Sequence, residues 1–222
     1  MNMAGKLFVV ATPIGNLKDI TFRAIETLKA SDLIAAEDTR QTKILLDNYG
    51  INVPCTSYHK FNLAQKTKSI ISQLTQGKTV SLVSDAGTPG ISDPGEELIK
   101  QAIDSGIEVV PIPGASAALT ALSVSGFSTK RFVFEGFLPH EGKSRRRVLR
   151  KLVEEDRTMV FYESPHRLIK SLNDMLSILG DRKLCIAREL TKKFEETFRG
   201  TTKEAILHFS SKEILGELTI VL

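Results

Sequence analysis

Residues 79–95, TVSLVSDAGTPGISDPG, decide the fold. The stretch begins with Thr79–Val83, an apolar and β-branched run that is typical of a buried strand. Ser84–Gly95 follows with three glycines and two prolines, which is more than a turn requires. A helical pattern over residues 95–105 and a second apolar run, Glu108–Ile112, come next. A strand, a loop, a helix and a strand in this order predict a parallel βαβ unit.

The same alternation of strands and helices extends over the whole chain. Towards the N-terminus it predicts strands at Leu7–Ala11, Leu33–Ala36 and Thr56–His59 and helices at 21–30, 40–47 and 62–75. Towards the C-terminus it predicts helices at 115–125, 165–179 and 202–209 and strands at Arg131–Phe134, Thr158–Tyr162, Leu184–Arg188, 194–200 and Leu218–Leu222. The two series predict an α/β fold with an N-terminal lobe, 1–113, and a C-terminal lobe, 114–222.

Composition excludes several classes of protein. With 222 residues, of which 41% are hydrophobic and 25% charged, the chain is long and apolar enough for globular lobes. It has no apolar run near 18 residues and no signal-peptide pattern, so we expect no membrane span and a cytoplasmic location. Cys55 and Cys185 have no C-x-x-C partner, and we interpret both as reduced core thiols.

The net charge of +4 is concentrated in one segment. Residues 143–151 carry six cations and no acid, so the rest of the chain is net negative. A basic segment of this kind is either a phosphate-binding surface or a solvated helix face, and charge alone leaves both open. The cations are Lys143, Arg145, Arg146, Arg147, Arg150 and Lys151.

Two nucleotide-binding motifs are excluded. Gly136–Ser144 resembles a Walker A loop, but five residues rather than four separate its first and second glycines. Pro139 also removes one of the backbone amides that would hold a phosphate. No G-x-G-x-x-G follows a predicted strand, which argues against a dinucleotide fingerprint.

Ligands of such sheets bind beyond the carboxyl ends of the strands. Asp85 lies there, directly after a strand, and its carboxylate can accept a hydrogen bond from an amine or hydroxyl of a small molecule. Asp93 has a structural explanation instead, because it suits a helix N-cap with Pro94 at the first helical position and Glu96 at the capping-box position. We therefore predict a binding role for Asp85 alone.

Four other loops follow strands. Ala11–Asn16 and Pro111–Ala118 are rich in small, glycyl and prolyl residues, and each is either a ligand loop or a plain connection. In Phe161–Arg167, we interpret Ser164 and Pro165 as a cap pair, whereas Tyr162, Glu163, His166 and Arg167 form a polar cluster at a strand end. Ala187–Lys192 occupies the equivalent place after the next strand.

Seven motifs together resemble the ribosomal RNA small-subunit methyltransferase I family, a bacterial branch of the tetrapyrrole methylases. The resemblance covers essentially the whole chain. The motifs are Ala11–Asn16, Ala36–Arg40, Ser84–Gly95, Pro111–Ala117, Phe134–Pro139, Phe161–Arg167 and Ala187–Lys192.

The resemblance implies two α/β lobes with S-adenosylmethionine in the cleft between them, and a homodimer. It also leads us to expect that this chain lacks the helical tail that usually follows the last strand in the family. By similarity, the cofactor-binding residues are Ile14, Asp85, Gly87, Gly90, Ile91, Ser116, Ala117, Tyr162, Ala187 and Leu218.

The implied reaction is 2′-O-methylation of a cytidine ribose in 16S ribosomal RNA of the small subunit. Methyl transfer from a sulfonium needs no metal, and a general base is useful because a ribose hydroxyl is a weak acid. We take the base to be one of Asp38, Glu163 and Glu189. The expected phosphate contacts are Arg40, Arg167 and Lys192 together with the basic segment 143–151.

Two alternatives remain open. A related enzyme could methylate a tetrapyrrole, a corrin or diphthine, but such substrates give no reason for the arginine cluster. A non-catalytic RNA-binding module would need no cofactor site, so stoichiometric binding of S-adenosylhomocysteine would exclude its simplest form.

Overall fold

The computed structural model describes residues 5–211 and 213–222. The chain forms two compact units, of which the first ends at Ser116 and the second begins at Ala117. The boundary predicted from the sequence, between residues 113 and 114, falls in the same strand-to-helix connection. Each unit contains one five-stranded sheet.

The first unit is a parallel sheet in the order β3-β2-β4-β1-β5. Its strands are β1 (Lys6–Val10), β2 (Leu33–Ala36), β3 (Cys55–Ser57), β4 (Val80–Val83) and β5 (Glu108–Ile112). Its helices are α1 (Phe22–Ala30), α2 (Thr39–Asn48), α3 (Leu63–Thr75) and α4 (Glu96–Asp104), with a 3-10 turn at Leu17–Asp19.

Helices cover both faces of this sheet. Leu28 of α1 and Leu46 of α2 belong to the hydrophobic cluster on one face. Leu74 of α3 and Leu98 of α4 belong to the cluster on the other. Burial on both faces explains why the strands are continuously apolar rather than alternating, since all four residues of β4 are buried.

The second unit is a mixed sheet in the order β6-β7-β10-β8-β9. β6 and β7 are parallel, and the other neighbouring pairs are antiparallel. The strands are β6 (Phe132–Phe137), β7 (Thr158–Glu163), β8 (Lys183–Arg188), β9 (Glu196–Thr201) and β10 (Leu218–Val221). The helices are α5 (Ala117–Ser125), α6 (Gly142–Lys151), α7 (Leu168–Leu179) and α8 (Thr202–Ser210).

The two faces of the second sheet are covered differently. Leu149 of α6, Leu172 of α7 and Phe209 of α8 pack with Met159 and Phe161 of β7 in one core cluster. α5 contacts β7, β8 and β10. Because successive strand residues point to opposite faces, Tyr162 of β7 lies on the face opposite Phe161.

The two predicted helix caps are wrong. α4 begins at Glu96 with Gly95 as its N-cap, so Asp93 and Pro94 precede the helix. A Cβ on Gly95 would lie 3.0 Å from the backbone nitrogen of Gly90, and this close approach of the loop decides where the helix begins.

Ser164 and Pro165 likewise precede α7, whose N-cap is Arg167. The carbonyl of Ser164 accepts hydrogen bonds from the N–H groups of Arg167 and Leu168. Residues 165–167 therefore form a turn that leads into the helix.

The cysteines have different environments. Cys185 is buried in β8, as predicted. The prediction for Cys55 is wrong, because it is exposed on β3, the edge strand of its sheet. No helix in the described part of the chain is long and apolar enough to cross a bilayer.

Candidate functional site

The order of the first sheet creates a crevice at the carboxyl end of β4. The chain leaves β1 and β2 towards α1 and α2 on one face, and leaves β4 towards α4 on the other. The loop after β4 therefore diverges from the loops after its two neighbours, β1 and β2. Such a topological switch point is where open α/β sheets bind ligands.

A short backbone bridge joins the loops after β1 and β4. The N–H of Thr12 donates to the carbonyl of Gly87 at 2.8 Å, and the N–H of Gly87 donates back at 3.1 Å. Thr12 Oγ1 donates to the carbonyl of Ser84 at 3.1 Å. Gly87 has φ +77°, and Ile14, which is buried, lies next to it. The two predicted cofactor loops are thus one connected frame.

Asp85 and Glu37 meet in this crevice. Asp85 Oδ1 accepts from the N–H of Asp38 at 2.9 Å, which ties the loop after β4 to the loop after β2. Partial burial and the nearby Asp85 charge raise the pKa of Glu37, while the N–H of Asp85 and the charge of Lys60 oppose them. Glu37 was not among the site residues predicted from the sequence. Its position directly after a buried strand was the available signal.

Asp38 is a helix cap rather than a free carboxylate. Its Oδ1 accepts from the N–H of Arg40 at 2.8 Å, and its Oδ2 lies 2.6 Å from Arg40 Nη2. Hydrogen bonds from the Arg40 side chain and backbone lower the pKa of Asp38 to about 2. A carboxylate with so low a pKa is a weak base, which argues against Asp38 as the proton acceptor. Arg40 remains exposed and faces solvent.

Of the remaining predicted cofactor residues of the first unit, Gly90 and Ile91 lie in the loop after β4 and Ser116 lies in the connection after β5. Gly90 has φ +83°, Ile91 is half-exposed, and Ser92 adopts φ +64°, a conformation uncommon for a residue with a side chain. Ser116 is the last residue of the unit and precedes Ala117, the first residue of α5.

In the second unit, the predicted cofactor residue Tyr162 contacts α5, two aromatic rings and the neighbouring strand β10. The N–H of Ala118, at the start of α5, donates to Tyr162 Oη at 3.3 Å. The tyrosine ring lies 4.9 Å from the ring of Phe134 and 5.4 Å from that of Phe137, measured between centroids. Across β10, Tyr162 pairs with Thr219, which pairs in turn with Ala187 of β8. These three residues form one row on the face that α5 covers.

Leu218 does not share this row. It pairs with Glu163 and belongs to the core cluster on the opposite face, beneath α6, α7 and α8. Thr219, not Leu218, is therefore the β10 residue that shares the face of Tyr162, because one step along a strand reverses the side chain's face.

Glu163 and Arg167 support the core rather than meet a substrate. Glu163 is 2% exposed and accepts from Ser171 Oγ and, at 2.8 Å, from the N–H of Ser164. Arg167 Nε lies 3.4 Å from Glu163 Oε1, and its guanidinium donates to the carbonyl of Leu138. The burial of Glu163 argues against it as the base, and the contacts of Arg167 within the unit argue against it as a phosphate contact.

Glu189 and Lys192 form an ion pair after β8. Lys192 Nζ lies 2.7 Å from Glu189 Oε1, which also accepts from the N–H of Glu217 at 3.2 Å. Burial raises the pKa of Glu189, but these hydrogen bonds outweigh it, so the pKa lies below its usual value. The pair holds the turn at Glu189, which has φ +52°.

The basic segment is the helix α6, and it divides into two sets of cations. Arg145 is buried: its guanidinium lies 2.7 Å from Asp174 Oδ2 and donates to the carbonyl of His140. Arg146 also reaches Asp174, at 3.3 Å. The predicted RNA contact at Arg145 is therefore corrected to a structural ion pair.

The other four cations of α6 are exposed. Their spacing of i, i+4, i+7 and i+8 places them on one side of the helix. We name this set the α6 cation face, and it consists of Lys143, Arg147, Arg150 and Lys151.

Comparison with known proteins defines the class. The sequence profile of Tetrapyrrole (Corrin/Porphyrin) Methylases matches residues 6–206. A diphthine synthase structure superposes with a TM-score of 0.77 at 14% identity, covering 98% of this chain and 90% of that one. Cobalt precorrin-4 methyltransferase gives 0.73 at 16%, covering 97% and 93%. At these identities the structures show the fold alone, which is that of a two-lobed α/β methylase.

Sequence relatives narrow the class. Ribosomal RNA small subunit methyltransferase I of Thermotoga maritima is 53% identical over 218 residues, 98% of each chain. The protein of the same name from Bacillus subtilis is 52% identical over 217 residues, 98% of this chain and 74% of its own. The chain therefore belongs to the ribosomal RNA small-subunit methyltransferase I family of the tetrapyrrole methylases.

Proposed function

We propose that this methyltransferase transfers a methyl group from S-adenosylmethionine to the 2′-hydroxyl of a cytidine ribose in 16S ribosomal RNA of the small subunit. The observation that carries the proposal is the α6 cation face. Four exposed cations along one side of a helix suit an extended polyanion such as an RNA backbone. The names of the sequence relatives support the same substrate.

The residues of the predicted cofactor site fit S-adenosylmethionine. Gly87 and Gly90 turn the backbone at positive φ without a side chain, so backbone groups can approach a ligand at the switch point. Asp85 supplies an exposed carboxylate there for the amine or hydroxyls. We assign cofactor binding in the first unit to Ile14, Asp85, Gly87, Gly90, Ile91 and Ser116. In the second unit Ala117, Tyr162, Ala187 and Leu218 stay predictions, and we add Thr219 because it shares the row of Tyr162 and Ala187.

The cofactor, when bound, supplies a methyl group on a sulfonium, which needs no metal. The protein's part is to orient the ribose hydroxyl for in-line attack and to accept its proton. Glu37 lies in the crevice beside Asp85, and burial and the charge of Asp85 raise its pKa, which favours it as the proton acceptor. We assign the base to Glu37 in place of Asp38, Glu163 and Glu189, whose carboxylates are held in ion pairs or in the core.

Replacing Glu37 by glutamine is expected to lower turnover about 100-fold or more, as loss of a general base does. The pKa of Glu37 is higher in the folded protein than in the unfolded chain. Its ionisation therefore destabilises the fold at pH values above the folded-state pKa, and this cost disappears once the pH falls below the unfolded-state pKa. Glu37→Gln should therefore melt slightly higher than the wild type at neutral pH. Single-turnover methyl transfer and calorimetry measure the two effects, and unchanged turnover would remove Glu37 as the base.

Asp85→Asn is expected to weaken binding of S-adenosylhomocysteine about 10-fold, the magnitude of one lost charge-assisted hydrogen bond. Asparagine keeps the oxygen that accepts from the N–H of Asp38, so the loop remains tied. Asp47→Ala, which removes an exposed carboxylate of α2, is the control and should leave the affinity unchanged. Titration calorimetry decides, and equal affinities for Asp85→Asn and wild type would contradict the assignment.

The proposal as a whole is tested with methyl-labelled S-adenosylmethionine and small ribosomal subunits that lack the modification. After digestion, we expect the label on a cytidine ribose. Label on another position of the RNA would show that the target nucleotide is a different one. Label on a porphyrin or on diphthine offered in parallel would show that the chain has the activity of a related methylase. Failure to bind S-adenosylhomocysteine would favour a non-catalytic module. The homodimer and the cytoplasmic location stay predictions.

A further inference from the structure

The loop between β3 and α3 presents an aromatic ring to solvent. Phe61 is 84% exposed, and Lys60 Nζ lies 5.0 Å from the centroid of its ring. The ring of His59 lies 6.0 Å away, edge to face. An aromatic side chain that is almost fully exposed buries no apolar area in the fold, so packing within the chain does not explain it.

The loop is held in shape by its own hydrogen bonds. Asn62 Oδ1 accepts from the N–H of His59 at 3.0 Å, and Asn62 Nδ2 donates to the carbonyl of Ser57 at 3.2 Å. The N–H of Phe61 donates to His59 Nδ1 at 3.3 Å. Phe61 is thus presented on a fixed support, and little ordering is needed when a ligand arrives.

This loop adjoins the crevice described above. The N–H of Tyr58 donates to the carbonyl of Ala36 at 2.7 Å, so the loop lies beside the start of the β2–α2 connection. Lys60 is close enough to Glu37 for its charge to lower the pKa of that carboxyl. Arg40, at the start of α2, is 88% exposed. The exposed ring of Phe61 and the cations of Lys60 and Arg40 therefore lie at the carboxyl end of the sheet, where Glu37 and Asp85 also lie.

We propose that Phe61 and Lys60 form a stacking site for an unpaired nucleotide of the RNA substrate. Every base offers a π face to an aromatic ring. Lys60 Nζ lies over one face of the Phe61 ring, so a base would stack on the other face and the lysine would neutralise the phosphate of the same nucleotide. This inference rests on the proposed function, because it assumes an RNA substrate, and it adds a binding site outside the α6 cation face.

A second pair of the same kind supports this interpretation. In the loop after β8, Phe194 is 66% exposed and Lys193 Nζ lies 5.5 Å from the centroid of its ring. The chain thus presents a lysine with an exposed phenylalanine in a loop of each unit. An interface with a protein would favour a larger apolar patch over an isolated ring with a cation.

The test measures binding of the 222-residue chain to a fluorescent single-stranded RNA oligonucleotide of mixed sequence that contains 2-aminopurine. Phe61→Ala is expected to weaken binding about 5- to 100-fold, and Phe61→Trp to preserve it, because stacking needs only an aromatic face. Wild type and Phe61→Trp should quench 2-aminopurine, whereas Phe61→Ala should not. Binding of S-adenosylhomocysteine should be the same in all three.

Phe22→Ala is the matched control. Phe22 is 87% exposed, like Phe61, but it is the first residue of α1 and lies outside the loop. Its replacement should change RNA affinity less than twofold, and an equal loss for both variants would overturn the assignment. Lys60→Gln should make the plot of log affinity against log salt concentration shallower by about 0.7, the slope that one phosphate contact contributes for a single strand.

Three further outcomes distinguish a failure of the stacking site from a failure of the proposed function. If Phe61→Ala binds the oligonucleotide as the wild type does but binds whole small subunits less tightly, Phe61 contacts a ribosomal protein and the proposal is overturned. If the wild type methylates small subunits and Phe61→Ala does so with unchanged KM, the stacking site is wrong and the proposed function stands. If the wild type binds neither oligonucleotide nor subunits, both fail.

Discussion

Arg145→Ala is expected to lower the free energy of unfolding of the second unit by about 3–5 kcal/mol, the usual cost of removing one partner of a buried ion pair. The side chain of Arg145 is 7% exposed and that of Asp174 is 15% exposed, so the loss leaves the Asp174 carboxylate poorly solvated. In a unit of this size the melting temperature should fall by roughly 10–20 °C. Calorimetry of the full chain measures the change.

Two variants distinguish this ion pair from a surface charge. Arg147→Ala removes an exposed cation two residues away and should change the melting temperature by no more than about 2 °C. The double variant Arg145→Met with Asp174→Leu should recover most of the lost stability, because it leaves no unpaired charge in the core. Arg146 also loses its partner, but its side chain is 44% exposed and solvent can take the charge. If Arg145→Ala melted like Arg147→Ala, the buried pair would contribute nothing and the correction to the RNA-binding prediction would not hold.

Neutralising the whole α6 cation face is expected to cause a large loss of RNA affinity. With four phosphate contacts removed, RNA affinity near 0.1 M salt should fall about 100- to 1,000-fold. A plot of log affinity against log salt concentration should become shallower by about 3 for single-stranded RNA. Cofactor affinity should not change. The variant carries glutamine in place of Lys143, Arg147, Arg150 and Lys151.

The matched control removes the same amount of charge from exposed positions of the first unit. Because both variants lose four positive charges, a difference between them reports position rather than net charge. Filter binding over a range of salt concentrations compares them, and an equal loss of affinity would show that α6 has no particular role. The control carries glutamine in place of Arg23, Lys29, Lys68 and Lys100.

Local pattern was sufficient to predict the order of strands and helices except for α6, a basic segment for which no helix was predicted. Leu33–Ala36 and Glu108–Ile112 were predicted with the bounds that the structure has, because each is a short apolar run between polar residues. The helix starts after Ser84–Gly95 and Phe161–Arg167 were predicted too early. Their cap signals were overridden by a close backbone approach at Gly95 and by the turn before Leu168.

The burial and the partners of individual charged side chains could be predicted only in part. Arg145 lies four residues before the buried Leu149, so helical spacing already placed it on the core side of α6. Glu163 lies two residues after the buried Phe161, which placed it on the core face of β7. Glu37 and Asp85, in contrast, meet only because β2 and β4 are neighbours in the sheet, and local pattern in one sequence does not show that pairing.

The position of β10 has a consequence for synthesis of the chain. β7 and β8 do not pair with each other, because β10 lies between them and pairs with both. The first sheet has all its strands once residue 112 has been made. The second sheet remains split into two parts until Leu218–Val221 have left the ribosome, so on a growing chain the first unit folds early and the second waits for its central strand.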